Sequence, residues 1–385
     1  MLALKLPLPS IAALALWASA ASAAVPAPPA EIASIPVTML VDLGSGQVLQ
    51  QHRPDVRFAP ASMTKVMTAY VAFEEMRAGR LPLDRRFVTP PDISQEWFAK
   101  GTSMLLRPLE TATTDDLLHG IMTASANDAS VVLAQQYAGS VDAWLFMMND
   151  AAKRLGMTRT HYNTPNGWPD ANKTQVTARD LVTLAEAMIV KYPAFYHHYA
   201  GQKTRPWGNR MMTSHDPTVG IVPGADGIKT GYTRDAGYCF LGSAVRDGRR
   251  LVMVVAGAKT PKERDEASRT LLEWGFAQWD ARPLFPVGKT IATARVQDGS
   301  SRTVPLVANR KVYAAVPRAG GEPIRLTVRY EGPLVAPVRK GAKVGELEIR
   351  VGGASPGRIP LYAAEAVGVA GPVDRMLNGV MNLFS

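Results

Sequence analysis

Residues 59–76 read APASMTKVMTAYVAFEEM. Met63, Val66, Met67, Tyr70 and Val71 recur at i, i+3, i+4, i+7 and i+8, while Ala69, Ala72 and Phe73 fill much of the other side. A helix that is apolar nearly all round is a central one, here expected to begin at Ser62 and end at Gly79. One turn brings Ser62 and Lys65 to the same face, within side-chain reach of one another. A hydroxyl and an ammonium inside a buried helix, with no acid nearby in sequence, call for a chemical reason, because an unpaired buried charge is costly.

Upstream, PVTMLVDLGSGQVLQQH (36–52) places apolar runs on either side of Gly44-Ser45-Gly46, the pattern of a β-hairpin. Downstream, from about 84 to 215, DDLLHGIMTA, NDASVVLAQQYAG, VDAWLFMMNDAAKRLG and ARDLVTLAEAMIVKY all carry helical spacing. GYCFLGSAV and RLVMVVAGA follow, joined by a turn with Asp247-Gly248, a strong hairpin signal. A last amphipathic helix, roughly 263–280, carries Leu271, Leu272, Trp274 and Phe276. Strands at both ends with helices between them indicate an α/β layer whose sheet is closed by distant parts of the chain. Beyond about 283 the texture changes to short β-rich runs separated by Gly, Pro and charged turns, which read as a smaller all-β domain.

The expected organisation is therefore a leader over 1–24, an α/β domain over 25–282, a β-rich domain over 283–366 and a C-terminal segment over 367–385. Lys5, the apolar stretch Ile11–Ala18 and the small residues Ala21-Ser22-Ala23 have the layout of a secretory signal, and the apolar stretch is well short of the ~20 residues of a spanning helix. At the other end, Val373, Met376, Leu377, Val380, Met381 and Phe384 share one helical face, which suits either the plane of a membrane surface or ordinary packing. Asp374 and Arg375 cancel there, and Gly379 weakens the helix.

Composition narrows the function. The 385 residues, 46% hydrophobic and 20% charged, suit a soluble globular chain with a large core. The formal charge of +10, or +9 without Lys5, favours anionic surroundings such as a membrane surface or a cell-wall polymer. The basic residues are dispersed rather than clustered, which argues against nucleic acid. The single cysteine, Cys239, has no partner and lies in a strand-like run, and the six scattered histidines form no HExxH, so no metal site of familiar spacing is expected.

Three strings carry the chemistry: Ser62-Met63-Thr64-Lys65, Ser125-Ala126-Asn127 and Lys229-Thr230-Gly231. A serine becomes a nucleophile only when a base takes its proton, so Lys65 needs its pKa depressed by burial or by a nearby positive charge, which Lys229 can supply. Lys229 with Thr230 also suits a substrate carboxylate, and Gly231 lets that substrate lie close against a strand. Ser125 can relay a proton to a leaving amine, and the Asn127 amide can donate to the substrate backbone and steady Lys65. The backbone N–H groups of Ser62 and Tyr232 are the natural oxyanion donors. Each string alone is weak; their order and local settings, a helix start, a loop before a helix and a strand before a hairpin, make them specific.

The trio, with Ser-Asp-Asn in the middle position, marks class A β-lactamases and penicillin-binding proteins. With APASMTKVMTAY, ASANDAS, TARDL and GADGIKTGYTRDAGYCF, the chain from about 36 to 365 resembles the low-molecular-mass penicillin-binding proteins that act as serine-type D-alanyl-D-alanine carboxypeptidases. Ala126 departs from the β-lactamase form but not from this family. The resemblance implies a serine β-lactamase-like transpeptidase domain, an antiparallel sheet with helices, followed by a smaller all-β domain. It implies Ser62 as the acylated nucleophile, Lys65 as base, Ser125 as proton shuttle, Asn127 as substrate binder, and Lys229 with Thr230 as carboxylate holders.

Arg264 falls where the family places an arginine near the substrate carboxylate, although an exposed helix-start arginine is an equal reading. The implied substrate is a peptidoglycan stem peptide, β-lactams are implied covalent inhibitors, no cofactor is needed, and the implied location is the periplasm, peripheral on the inner membrane. A D,D-endopeptidase acting on cross-links and a non-catalytic penicillin-sensing or wall-binding protein are the alternatives. No E-x-x-L-N string follows Asn127, which disfavours a class A β-lactamase.

Two further strings have plainer readings. Gly353-Ala354-Ser355-Pro356-Gly357 fits the G-x-S-x-G elbow in form, but a strand-like run follows it and no histidine lies after His215, so a β-turn is expected. Asn163-Thr164-Pro165-Asn166-Gly167 reads as an ordinary turn more readily than as a loop at the pocket.

Overall fold

Asp42, Ser45 and Gln47 fold the chain back on itself. Asp42 Oδ1 accepts from Ser45 N at 3.0 Å, Ser45 Oγ accepts from Gln47 N at 3.2 Å, and Gly46 takes φ +66°, a value open to glycine at little cost. The expected hairpin is thus β1 (Val37–Asp42) and β2 (Gln47–His52). The computed structural model describes residues 25–371; the leader-like segment and residues 372–385 of the C-terminal segment lie outside the described residues.

A short 3-10 turn, Ala61–Thr64, precedes α1 (Lys65–Arg77), so Ser62 sits just before the α-helix rather than within it. Every α1 side chain from Lys65 to Phe73 is buried, as expected of a helix apolar all round. The helical region that follows holds α2 (Pro91–Trp97), α3 (Thr114–His119), α4 (Asn127–Ala138), α5 (Val141–Arg154), α6 (Ala178–Lys191) and α7 (Pro193–Tyr199). It also holds two small strand pairs that helical spacing did not disclose, β3 (Arg86–Val88) with β4 (Thr111–Thr113) and β5 (Thr204–Trp207) with β6 (Arg210–Thr213).

Next come β7 (Ala225–Thr233), β8 (Gly237–Arg246), β9 (Arg249–Ala258) and α8 (Pro261–Gln278). The main sheet runs β2-β1-β9-β8-β7 with every pair antiparallel, so the N-terminal hairpin closes onto the C-terminal strands. Its central strands are buried on both faces, and side chains alternate between two cores. Met39, Val41, Val252 and Val254 face the core shared with α1 to α7, and Cys239 lies buried on that side. Leu40, Leu251, Met253 and Val255 face the core under α8. Thr260 caps α8 by accepting from Glu263 N, and Pro261 supplies a first turn that needs no N–H donor.

The second domain contains β10 (Trp279–Phe285), β11 (Thr290–Gln297), β12 (Thr303–Val307), β13 (Val312–Pro317), β14 (Ile324–Tyr330), β15 (Leu334–Val335), β16 (Lys343–Val351) and β17 (Gly357–Ala363). The change of texture near 283 falls inside β10, whose Trp279 packs with Ala315 into the core under α8. The β1–β2 turn is the joint between domains. Gln47 exchanges two hydrogen bonds with the Ala315 backbone, at 3.1 and 2.8 Å, and Tyr313 N donates to Gly44 O at 3.0 Å. Ser355 is exposed in the turn between β16 and β17, two strands, so it has no strand-to-helix elbow. At the end of the described chain Val367 and Val369 bridge to Val338 and Gly299, so the described part of the expected C-terminal segment, residues 367–371, is extended rather than helical.

Candidate active site

Two glycines clasp the turn that carries Ser62. A Cβ on Gly231 would lie 2.7 Å from Pro60 O and 3.3 Å from Met63 N, and one on Gly167 would lie 1.8 Å from Ala61 O. Backbone therefore packs on backbone from both sides of residues 60–63. Ala61, immediately before Ser62, takes φ +49°, a left-handed value uncommon for a residue with a side chain and typical of positions held by their surroundings.

Lys65 begins α1 and is fully buried. Its Nζ lies 2.9 Å from Ser62 Oγ, 2.7 Å from Asn127 Oδ1 and 2.7 Å from the carbonyl of Asn166. Burial, and then the charge of Lys229, hold its pKa well below the usual lysine range, against a smaller opposing pull from Asp128. Burial is thus the larger of the two causes the sequence suggested. A neutral amine has two N–H donors and one lone pair. The Asn127 and Asn166 oxygens accept both donors, which leaves the lone pair for the Ser62 hydroxyl proton.

The second string is set by an irregular helix end. After α3 the chain widens into a π-type turn, Gly120–Ala124, and closes at Ser125 in the left-handed region, φ +62°. Thr102 Oγ1 donates to Ser125 O at 2.7 Å, and Asn127 N donates to Thr102 O at 2.8 Å. Asn127 Nδ2 donates to Lys100 O at 2.9 Å, so of its two amide hydrogens one remains for a substrate. Asp128 pins the facing loop by accepting from Met104 N, Leu106 N and Ser103 Oγ.

The third string forms the opposite wall on β7. Lys229, only 4% exposed, donates to Thr230 O at 3.2 Å. Burial pushes its pKa down to about 7, the Asp216 carboxylate pulls it back up, and the Arg264 charge lowers it further. Arg264 is buried on α8, paired with Asp265 at 2.7 Å, and lines the cleft, so the exposed reading does not hold.

These walls enclose a cavity of about 570 Å³. Ser62, Ser125, Asn127, Thr230, Gly231, Tyr232 and Arg264 line it, with Lys65 and Lys229 buried beside them. The loop read as an ordinary turn belongs to the site: Asn166 supplies a carbonyl to Lys65, Gly167 packs on Ala61, and Trp168 lines the cavity. His215, which carries no motif, also lines it; burial, then Lys229 and Arg264, lower its pKa. Its only signal in sequence is its position shortly before the Lys229 strand.

The sequence model of the D-alanyl-D-alanine carboxypeptidase family matches residues 22–260, and that of the penicillin-binding protein 5 C-terminal domain matches residues 279–369. The D-alanyl-D-alanine carboxypeptidase DacD of Salmonella typhimurium is 34% identical over 370 residues, covering 93% of this chain and 92% of that protein. Penicillin-binding protein 5 from Haemophilus influenzae superposes with a TM-score of 0.73 at 28% identity, over 89% of this chain and 99% of that one. Penicillin-binding protein D2 from Listeria monocytogenes, in its ampicillin-bound form, superposes with a TM-score of 0.57 at 28% identity, over 63% of this chain and 97% of that one. With a buried lysine at hydrogen-bonding distance from a serine, and with both of its domains matched in order, the chain belongs to the serine-type D-alanyl-D-alanine carboxypeptidases among the low-molecular-mass penicillin-binding proteins.

Proposed function

We propose that this protein removes the terminal D-alanine from peptidoglycan stem pentapeptides through an acyl-enzyme on Ser62. The observation that carries the reading is Lys65 Nζ, buried and 2.9 Å from Ser62 Oγ, with carbonyl oxygens on its other two sides. Lys65 takes the hydroxyl proton as Ser62 Oγ attacks the carbonyl of the penultimate D-alanine. The N–H groups of Ser62 and Tyr232 stabilise the oxyanion, a role supported by the close approach of Gly231 to residues 60–63. Ser125 passes a proton to the leaving amine, and the free hydrogen of the Asn127 amide holds the substrate backbone. Lys229, Thr230 and Arg264 receive the terminal carboxylate as a charge-assisted ligand. Water then attacks the acyl carbonyl and returns Ser62.

β-Lactams are expected to acylate Ser62 in the same way, and the listerial relative was solved with ampicillin bound. The leader-like segment supports export, with action in the periplasm and a peripheral position on the inner membrane. Labelled penicillin and a pentapeptide assay test the reading together. Wild type is expected to take one covalent label and release free D-alanine, and Ser62→Ala to do neither. Equal labelling of Ser62→Ala removes the nucleophile; labelling without turnover leaves a sensor; cleavage confined to cross-linked dimers makes the protein an endopeptidase.

A further inference from the structure

Behind the cleft, away from the cavity lining, α3 and α7 bring Asp115, His119 and His198 together, with their donor atoms all within 4.8 Å of one another. Asp115 and His119 share one face of α3, and Asp115 Oδ1 lies 3.6 Å from His119 Nε2 and 2.8 Å from His198 Nε2. Donors around a four-coordinate zinc, with bonds of about 2.0–2.1 Å, stand roughly 3.3 Å apart, so small side-chain adjustments suffice. His119 is 2% exposed, and neither of its ring nitrogens has a hydrogen-bond partner among the described residues, an unusual state for a buried polar group.

We propose that Asp115, His119 and His198 form a structural site for a divalent transition-metal ion of the zinc type. Two imidazoles and a carboxylate are a donor set suited to such ions. Tyr199 donates its hydroxyl to Asp115 Oδ1 at 2.9 Å and so orients the carboxylate from outside. His198, half exposed, gives an ion an entry path and leaves the fourth position to water. Arg205, 3.3 Å from Asp115 Oδ2, opposes a dication, but its side chain is 38% exposed and can turn to solvent.

The placement gives the ion a purpose in the fold. On one side it would hold α3, whose continuation ends at Ser125. On the other it would hold α7, whose Tyr196 hydroxyl bonds to Asp226 Oδ1 at 2.9 Å near the start of the Lys229 strand. The site thus braces the carriers of the second and third strings against one another.

Equilibrium dialysis of the tag-free full chain against Zn²⁺ alone tests this, with thermal melting of the same samples. Wild type is expected to hold one ion per chain and to melt at a higher temperature with it. His198→Gln, at a half-exposed position, is expected to bind about tenfold more weakly or worse while still taking the penicillin label, which certifies its fold. His119→Gln is expected to lose the ion as well, and Co²⁺ in wild type to show the visible absorption of a four-coordinate site that His198→Gln lacks. Absence of stoichiometric binding in wild type, or equal binding and an equal melting shift in His198→Gln, overturns the site.

Discussion

The floor and the wall of the cleft each bury a lysine, and they treat it in opposite ways. On the floor, Lys65 meets three oxygens within 2.9 Å, and burial is the chief cause of its lowered pKa. On the wall, Lys229 meets one carbonyl among the described residues, at 3.2 Å, and keeps donors free, with its pKa near 7. A base must have its donors satisfied so that only a lone pair remains; a carboxylate holder must have donors left over. The same side chain serves two purposes because its surroundings differ, not because its sequence neighbours do.

The sharpest way to break the comparison is to make the floor cation permanent. Lys65→Arg puts a permanent charge where the lysine is held neutral and cannot yield a base. Acylation of Ser62 by labelled penicillin is expected to fall by about 10²–10⁴-fold, the usual contribution of a general base. A rate within a few-fold of wild type would mean that Lys65 does not take the proton.

Next in size is the clasp that positions the floor. Gly167→Ala places a Cβ 1.8 Å from the Ala61 carbonyl at a φ of +75°. A loss of about 3 kcal/mol or more is expected in denaturant unfolding, with slowed acylation in whatever remains folded. Gly79→Ala is the control: its φ of +73° is similar, but among the described residues nothing lies within 4 Å of its Cβ, so roughly 1 kcal/mol is expected. Equal losses at the two positions would reduce the clasp to ordinary turn strain.

That clasp also marks where the sequence stopped being legible. The central helix could be read because apolar residues surround it, and the antiparallel strands because Asp247-Gly248 and Gly44-Ser45-Gly46 announce their turns. The contact from Asn166 to Lys65 could not, because it comes from a backbone carbonyl, which every residue has. The left-handed Ser125 is likewise set by the widened turn before it rather than by its own identity. His215 enters the cleft from the loop after β6, a tertiary outcome with no local pattern, whereas Arg264 on α8 was named through the family resemblance and not through any pattern of its own. The grouping of Asp115 with His198 is of the same kind, since only the helix pair brings them together.

The wall lysine makes a prediction about stability as well as binding. Its pKa in the folded state is depressed, so between about pH 7 and the ordinary lysine value the unfolded chain binds the extra proton. This destabilising contribution is fully present below about pH 7 and fades as pH rises toward 10.5. Lys229→Met is therefore expected to raise the melting temperature at pH 6 and to lose that advantage toward pH 10, while abolishing carboxylate recognition. A variant that melts lower at pH 6 would show that Lys229 is held by more than its single carbonyl contact.

The smallest effect separates two roles for Arg264. Its charge lowers the Lys229 pKa, so removing it raises that pKa and moves the alkaline fall of pentapeptide kcat/KM, set by loss of the Lys229 proton, to higher pH. His215 and Asp216 also act in this neighbourhood, and both remain in the variant. If Arg264 touches the substrate carboxylate directly, Arg264→Gln weakens binding at every pH. If it acts only through Lys229, binding at pH 6, where Lys229 is already charged, is unchanged and activity at pH 8 improves. A few-fold rise in KM at pH 6 together with an alkaline limb displaced upward is the expected pattern, because Arg264 both lines the cavity and stands within electrostatic reach of Lys229. A displaced limb without the KM change would make Arg264 a positioning residue, and a KM change without displacement would leave burial and Asp216 alone to set the charge of the wall.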